Sequence, residues 1–337
     1  MSDRRVAVVG ATGAVGRKMV EILGQRNFPL AELRVLASAR STGQVVETQW
    51  GDIEVENLEL ADPFGIDIAL FSAGGDRSRA FAPRFVAAGA VVIDNSSAFR
   101  RDPQVPLVVA GVNDHVVGSH QGIIANPNCT TMALMMAAGP LHREARIERL
   151  TVSSYQSVSG SGQAGMSELG RQVGLLAPDG EGLVEGTWDD PGGNLYVSPI
   201  AFNVIPFAGS ETEEGYTDEE WKLVNETRKI LEDDQILVEP TCVRVPVMVG
   251  HGVSASMFFG RSMSREEAID ILRHAPGLEL WTERVPTPLD ATGRDVVLAG
   301  RVRPTLGETG GINLWVVGDN LRKGAALNAV QIAELIS

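Results

Sequence analysis

The first 128 positions alternate short apolar runs with stretches whose apolar residues recur at helical spacing. Runs at 5–9, 33–37, 67–71, 90–94, 107–110 and 123–125 read as buried strands. Helical patterns extend from a glycine-rich turn after the first run through Leu23, and again over 77–88. Strands alternating with helices predict a parallel sheet covered by helices on its faces.

The pattern changes after residue 128. Longer, more polar runs at 148–156, 236–249 and 254–260 are separated by helical segments at 217–231 and 265–274. This predicts a second, α+β domain with a largely antiparallel sheet. Segment 178–194 is rich in glycine and acid and has no period, so it reads as a surface loop. A final strand at 312–317 precedes an alanine-rich helix from Asn320, expected to pack back onto the first domain. The expected division is 1–128 with 319–337 as one domain and 129–318 as the other, without internal repeats.

Composition narrows the function classes. The chain has 337 residues, enough for two cores, with 44% hydrophobic and 21% charged residues. A formal charge of −14, from 43 acidic against 29 basic side chains, disfavours nucleic-acid or anionic-membrane surfaces. It leaves room for a small anionic substrate held by a few local cations. The opening residues carry no leader-like core, and the apolar stretch near 132–138 is about half of a membrane span. A cytoplasmic protein is expected. Two cysteines give no disulfide framework, and no His/Cys/carboxylate cluster has metal-ligand spacing, so no metal is expected.

Gly10-Ala11-Thr12-Gly13-Ala14-Val15-Gly16 lies between the first strand and the first helix. Glycines there allow a tight turn and close approach of backbone N–H groups to a pyrophosphate at the helix start. The context points to a Rossmann-type dinucleotide site; the alternative is a tight turn without a ligand. After the second strand, Ser38-Ala39-Arg40-Ser41-Thr42 has no carboxylate for the ribose hydroxyls of NAD. One guanidinium among hydroxyls suits the 2′-phosphate of NADP, unless this is a plain polar loop.

Asn126-Pro127-Asn128-Cys129-Thr130-Thr131 precedes a run of helix formers, which places Cys129 in a first helical turn. Free N–H groups and the helix dipole there favour a thiolate and, later, an oxyanion. A buried apolar cysteine is the alternative, and it suits Cys242, within a strand pattern. Of five histidines, His142 and His274 fall late in helices, whereas His251 sits between Gly250 and Gly252, where an exposed, unusual backbone is permitted. Arg244 is the one charge in an apolar strand, a costly position unless it faces a partner or a ligand.

Taken together, Val9-Gly-Ala-Thr-Gly-Ala-Val-Gly16, Ser38-Ala-Arg-Ser41, Phe71-Ser-Ala-Gly-Gly75, Asp94-Asn-Ser-Ser-Ala-Phe-Arg100 and Asn126-Pro-Asn-Cys-Thr-Thr131 resemble the bacterial aspartate-semialdehyde dehydrogenase family. So do Tyr155-Gln-Ser-Val-Ser-Gly-Ser-Gly162, Glu220-Trp-Lys222, Arg244-Val-Pro-Val247, Gly250-His-Gly252 and Asp319-Asn-Leu-Arg-Lys-Gly-Ala325. The resemblance spans the chain. It implies reversible NADPH-dependent conversion of L-aspartyl-4-phosphate to the semialdehyde, with release of phosphate, on the route to lysine, threonine and methionine. It implies Cys129 as nucleophile, His251 as acid/base, Gln156 orienting the substrate and Asn128 as a further oxyanion donor. By the same resemblance Arg244 takes the substrate α-carboxylate, Glu219 the α-amino group, and Arg100 with Lys222 the phosphate. Cofactor contacts are implied at Gly10, Thr12, Gly13, Ala14, Val15, Ser38, Arg40, Ser41, Thr42, Ser72, Gly74, Ser159, Gly160 and Asn320. A homodimer is implied through the second domain.

Other readings share these motifs. N-acetyl-γ-glutamyl-phosphate reductases run the same chemistry on a substrate without a free amine, so Glu219 separates the two. A nonphosphorylating aldehyde dehydrogenase would resolve the thioester with water. A catalytically silent NADP-binding relative would have no need of Cys129 and His251.

Overall fold

The computed structural model describes residues 3–337. The N-terminal part runs β1 (Arg4–Val9), α1 (Ala14–Gln25), β2 (Leu30–Ala37), the hairpin β3 (Val45–Thr48) and β4 (Gly51–Glu54), β5 (Glu56–Asn57), β6 (Ile68–Phe71), α2 (Gly75–Ala87), β7 (Val91–Asp94) and β8 (Ile123–Ala125). Its sheet has the order β5-β2-β1-β6-β7-β8, and every pairing is parallel. Burial on both faces explains why these strands are continuous apolar runs. The order reverses between β1 and β6, which opens a crevice beyond their carboxyl ends.

The rest comprises α3 (Cys129–Ala145), β9 (Ile147–Gln156), α4 (Gly162–Leu176), α5 (Gly180–Glu185), α6 (Asp218–Leu231), β10 (Leu237–Arg244), β11 (His251–Phe259), α7 (Arg265–Arg273), β12 (Leu278–Trp281), α8 (Pro288–Ala291), β13 (Val297–Pro304) and β14 (Ile312–Gly318). The second sheet has the order β10-β9-β11-β14-β13-β12. Its two outer pairings are parallel and its three inner ones antiparallel, so the sheet is mixed. Helix α3 is buried almost all round because Met132, Leu134, Met135 and Leu141 share the core of this sheet with Val152, Val253 and Leu314. A wide π turn (Arg322–Ala326) leads into α9 (Leu327–Leu335), whose Leu327, Val330 and Ile332 pack with Val6, Val8 and Leu70 of the first sheet. That tail therefore starts as a π turn at Arg322, not as a regular helix from Asn320. Asp319 Oδ1 receives the N–H groups of Leu321 and Arg322 ahead of it.

Three sequence expectations change. Segment 107–110 is buried but is not a strand, with a single bridge from Leu107 to Ala125. Side chains take the ladder's place: Asn113 accepts from Val109 N and donates to Leu107 O, while Asn328 accepts from Ala110 N and donates to Val108 O. The expected strand 236–249 stops at Arg244, since Pro246 has no N–H for a ladder and Gly250 turns the chain at φ +101°. Within 178–194 a short helix, α5, forms on an Asp179 cap, and Arg171 donates to the carbonyls of Pro191 and Gly192, tying the remainder to α4. No helix among the described residues is long and apolar enough to cross a membrane.

Asn328 meets four buried groups, adding Lys323 Nζ at 3.0 Å and Asn126 Oδ1 at 2.7 Å to the two backbone contacts above. Replacing it with alanine strands the other three and removes one of three partners of Lys323 Nζ. Asn328→Ala should lower stability by about 3 kcal/mol or more, seen as a lower urea midpoint; a midpoint within error of the parent would show that water satisfies these groups.

Candidate active site

Helix α3 begins at Cys129. The Asn128 side chain caps it, accepting from Thr130 N at 2.9 Å and Thr131 N at 3.3 Å, which leaves Cys129's own N–H without an intrahelical partner. The Asn128 amide donates to Glu219 Oε2 at 3.0 Å, so both ends of this expected oxyanion donor are engaged. Cys129 keeps part of its surface open. Burial, then the charge of Glu219, push its thiol up to about 11, against the pull of Arg100, Arg244 and Lys222. Burial thus opposes a thiolate at this helix start.

The other reactive groups sit at one edge of the second sheet. Gln156 and Arg244 end the parallel strands β9 and β10 in register with each other, and His251 begins the antiparallel β11 beside them. His251 is buried, contrary to the exposed position that its flanking glycines permit. Those glycines serve packing instead: Gly250 makes the turn, and a Cβ on Gly252 would lie 2.3 Å from the Trp315 ring. Burial, then the charge of Arg244, lower His251 to about 3, so its ring is neutral. Ser157 N–H donates to Nδ1 at 3.0 Å, which puts the ring proton on Nε2, an atom with no partner.

Arg244 is also buried. One of its terminal nitrogens donates to Ser157 O at 2.8 Å, Nε has no partner, and among the described residues no carboxylate pairs with it. An unpaired buried guanidinium is costly and calls for an anion. A Cβ added at Gly160 would meet both groups, lying 3.0 Å from Arg244 Nη1 and 3.2 Å from His251 Nε2. They face one small volume that only glycine leaves open.

Along α6 lies a cavity of about 570 Å³ whose lining includes Arg100, Arg101, Asp218, Lys222 and Glu226. Arg100 is buried and donates to Asn126 O, Asn95 O and Glu226. Lys222 pairs with Asp218 at 2.7 Å and with Glu219, one turn away on α6. That helix keeps its place through a capping box between Thr217 and Glu220.

In the first domain the loops after β1 and β6 touch at the topological switch. Gly10 has φ +86°, and a Cβ there would lie 2.3 Å from Ser72 O; one on Gly16 would lie 2.2 Å from Gly10 O. Gly74, at φ +87°, has open space where its Cβ would be, above the start of α2. Thr12 Oγ1 reaches Ser41 Oγ at 3.4 Å, joining the glycine loop to the 38–42 turn, where Arg40 is exposed. On the other side, Asn320 Oδ1 accepts from Gly250 N, Ser157 Oγ and Ser159 Oγ.

The chain matches the model of the semialdehyde dehydrogenase NAD binding domain over residues 5–120, and that of the semialdehyde dehydrogenase dimerisation domain over 139–323. It is 52% identical over 338 residues to the aspartate-semialdehyde dehydrogenase of Streptomyces akiyoshiensis, covering 99% of this chain and 98% of that one. The chain belongs to the aspartate-semialdehyde dehydrogenase family. The Mycolicibacterium smegmatis aspartate-semialdehyde dehydrogenase is likewise 52% identical over 342 residues, covering 98% of each chain. The crystal structure of aspartate semialdehyde dehydrogenase II of Vibrio cholerae, complexed with ASA, superposes with a TM-score of 0.94 at 45% identity, over 100% of this chain and 98% of that one.

In this aspartate-semialdehyde dehydrogenase homologue, Arg244, His251 and Gly160 form one cluster. Asn128, Glu219 and Lys222 form a second, near Cys129, and Arg100 lines the same cavity as Lys222. Gln156 is buried at the edge of that sheet with its amide on Ser154 Oγ. Sequence reasoning did not single out Glu226, Ser157 or Asn126. Each is an ordinary polar residue whose weight comes from burial, and a carboxylate at helical spacing on α6 carries no local sign that it will be buried.

Two outcomes follow. Gly160→Ala should cut kcat/KM about 100-fold by displacing Arg244 and His251, with little change in unfolding midpoint; near-parent activity would detach this cluster from the chemistry. His251 titrates near 6.5 when unfolded and near 3 when folded. Between those values the unfolded chain binds the extra proton, so stability falls as pH falls, by about 1.4 kcal/mol per pH unit for that proton. His251→Gln should flatten the acid limb of a stability–pH curve by that component, and an unaltered slope would mean that the folded ring titrates normally.

Proposed function

We propose that this chain catalyses the reversible, NADPH-dependent reduction of L-aspartyl-4-phosphate to L-aspartate 4-semialdehyde with release of phosphate, as a cytoplasmic homodimer. The observation that carries this reading is Arg244: a buried, unpaired guanidinium beside the free Nε2 of His251. It suits a substrate with a carboxylate at one end and a reacting carbonyl a few atoms away. The glycine loop and the Ser72–Gly74 turn fit a dinucleotide at the switch point, and the lack of a carboxylate at 38–42 favours NADP over NAD. Thr12, Gly13, Ala14 and Val15 would meet the pyrophosphate, Ser38, Arg40, Ser41 and Thr42 the 2′-phosphate, and Ser159, Gly160 and Asn320 the nicotinamide side.

Bound NADPH supplies the hydride; the chain's residues do the rest. Arg244 takes the α-carboxylate, Glu219 the α-amino group, and Arg100 with Lys222 the phosphate. Cys129 Sγ attacks the acyl carbon as its proton passes to the departing phosphate oxygen, and the Cys129 N–H would donate to the tetrahedral oxyanion. The C–O bond to phosphate breaks, leaving a thioester that Gln156 orients. After reduction, His251 Nε2 gives its proton to the thiohemiacetal oxygen. That proton returns to Nε2 as the carbonyl re-forms, and the departing Sγ takes its own proton from solvent. The C–S bond then breaks to free the aldehyde and the thiol.

The test is NADP⁺ reduction by L-aspartate semialdehyde with and without inorganic phosphate, followed by near-ultraviolet absorbance. Phosphate-dependent NADPH formation is expected, with Cys129→Ser lowering turnover by about 10⁴-fold or more while NADPH still binds. Turnover independent of phosphate would instead indicate thioester hydrolysis and remove the phosphate role from Arg100 and Lys222.

A further inference from the structure

Glu226 lies on α6 with its side chain buried to within a few per cent. One carboxylate oxygen receives Arg100 Nη1 at 3.1 Å, and the other receives the backbone N–H of Asn128 at 2.6 Å. It thus joins the phosphate-facing arginine to the peptide immediately before Cys129. Arg100 completes the loop by donating to Asn126 O at 2.8 Å. Burial raises this carboxyl above the usual range, opposed by Arg100 and the Asn128 N–H. A carboxylate on the wall of a cavity meant for an anion looks counterproductive, since its charge repels phosphate. It also sets the angle of Arg100 and fixes the cap of α3 with one side chain.

We propose that Glu226 is a positioning residue with two separable effects. Its reach holds Arg100 and the Asn128–Cys129 peptide in register, and its charge weakens the hold on phosphate. A weak hold matters because phosphate is the leaving group in the reductive direction and must vacate the cavity after thioester formation. This rests on the reading of Arg100 and Lys222 as the phosphate site.

Two variants separate charge from reach. Glu226→Gln keeps the length and an acceptor for the Asn128 N–H, removes the charge, and leaves Arg100 held by Asn126 O and Asn95 O alone. Glu226→Asp keeps the charge but withdraws it by about one C–C bond, ~1.5 Å. In the oxidative direction, with inorganic phosphate varied, E226Q should lower KM for phosphate about 3- to 10-fold and slow product release in the reductive direction. E226D should leave KM for phosphate near the parent value and lower kcat about 10-fold or more. A purely structural residue would instead lower the thermal midpoint in both variants without this split. E226Q with unchanged KM for phosphate, or E226D with unchanged kcat, overturns the proposal. If E226Q does not fold, the kcat–KM split in E226D decides. Parent turnover independent of phosphate would sink the phosphate site itself, whereas phosphate-dependent turnover with unaltered variants would sink only the role of Glu226.

Discussion

The segment 126–128 is buried between the two sheets, and water does not reach its polar groups. Each therefore has to find a protein partner, and satisfying them organises the site. Asn126 N donates to Asp94 O, its carbonyl receives Arg100, and its side chain bonds Asn95, Ala325 and Asn328. Asn128 N donates to Glu226, and the Asn128 side chain spans from the first turn of α3 to Glu219. Through these bonds the end of the first sheet, the π turn and α9 hold Asn126, and α6 holds Asn128, the residue before Cys129.

The same burial sets the chemistry. It pushes the Cys129 thiol up to about 11 and the His251 ring down to about 3, which favours the neutral form of each. Charge enters from Arg100, Arg244 and Lys222, balanced by Glu219 and Glu226. Cations near the sulfur favour its thiolate, while carboxylates beside them lower the local positive charge. Glycines keep the reacting volume clear. Gly160 leaves room for Arg244 and His251 to face each other, and Gly10 lets the loops after β1 and β6 meet.

Local patterns in the chain determined a good deal. Buried parallel strands are apolar throughout, so β1, β6 and β7 were visible within a residue and β2 with a start three residues late, as were α6 and Cys129 at a helix start. The glycine loop and the carboxylate-free 38–42 turn with its Arg40 were readable because φ > 0 and ligand contact restrict residue type locally. What tertiary structure alone decided concerns partners distant in sequence. Segment 107–110 has the composition of a strand but is held by Asn113 and Asn328, the latter 218 residues from Ala110. His251 carries flanking glycines that suggest exposure, yet burial sets its titration. Glu226 reads as an ordinary helix-surface acid until packing puts it between Arg100 and Asn128. Backbone preference and hydrophobic period are written residue by residue, whereas desolvation and long-range hydrogen bonding exist only once the sheets and helices have closed around a group.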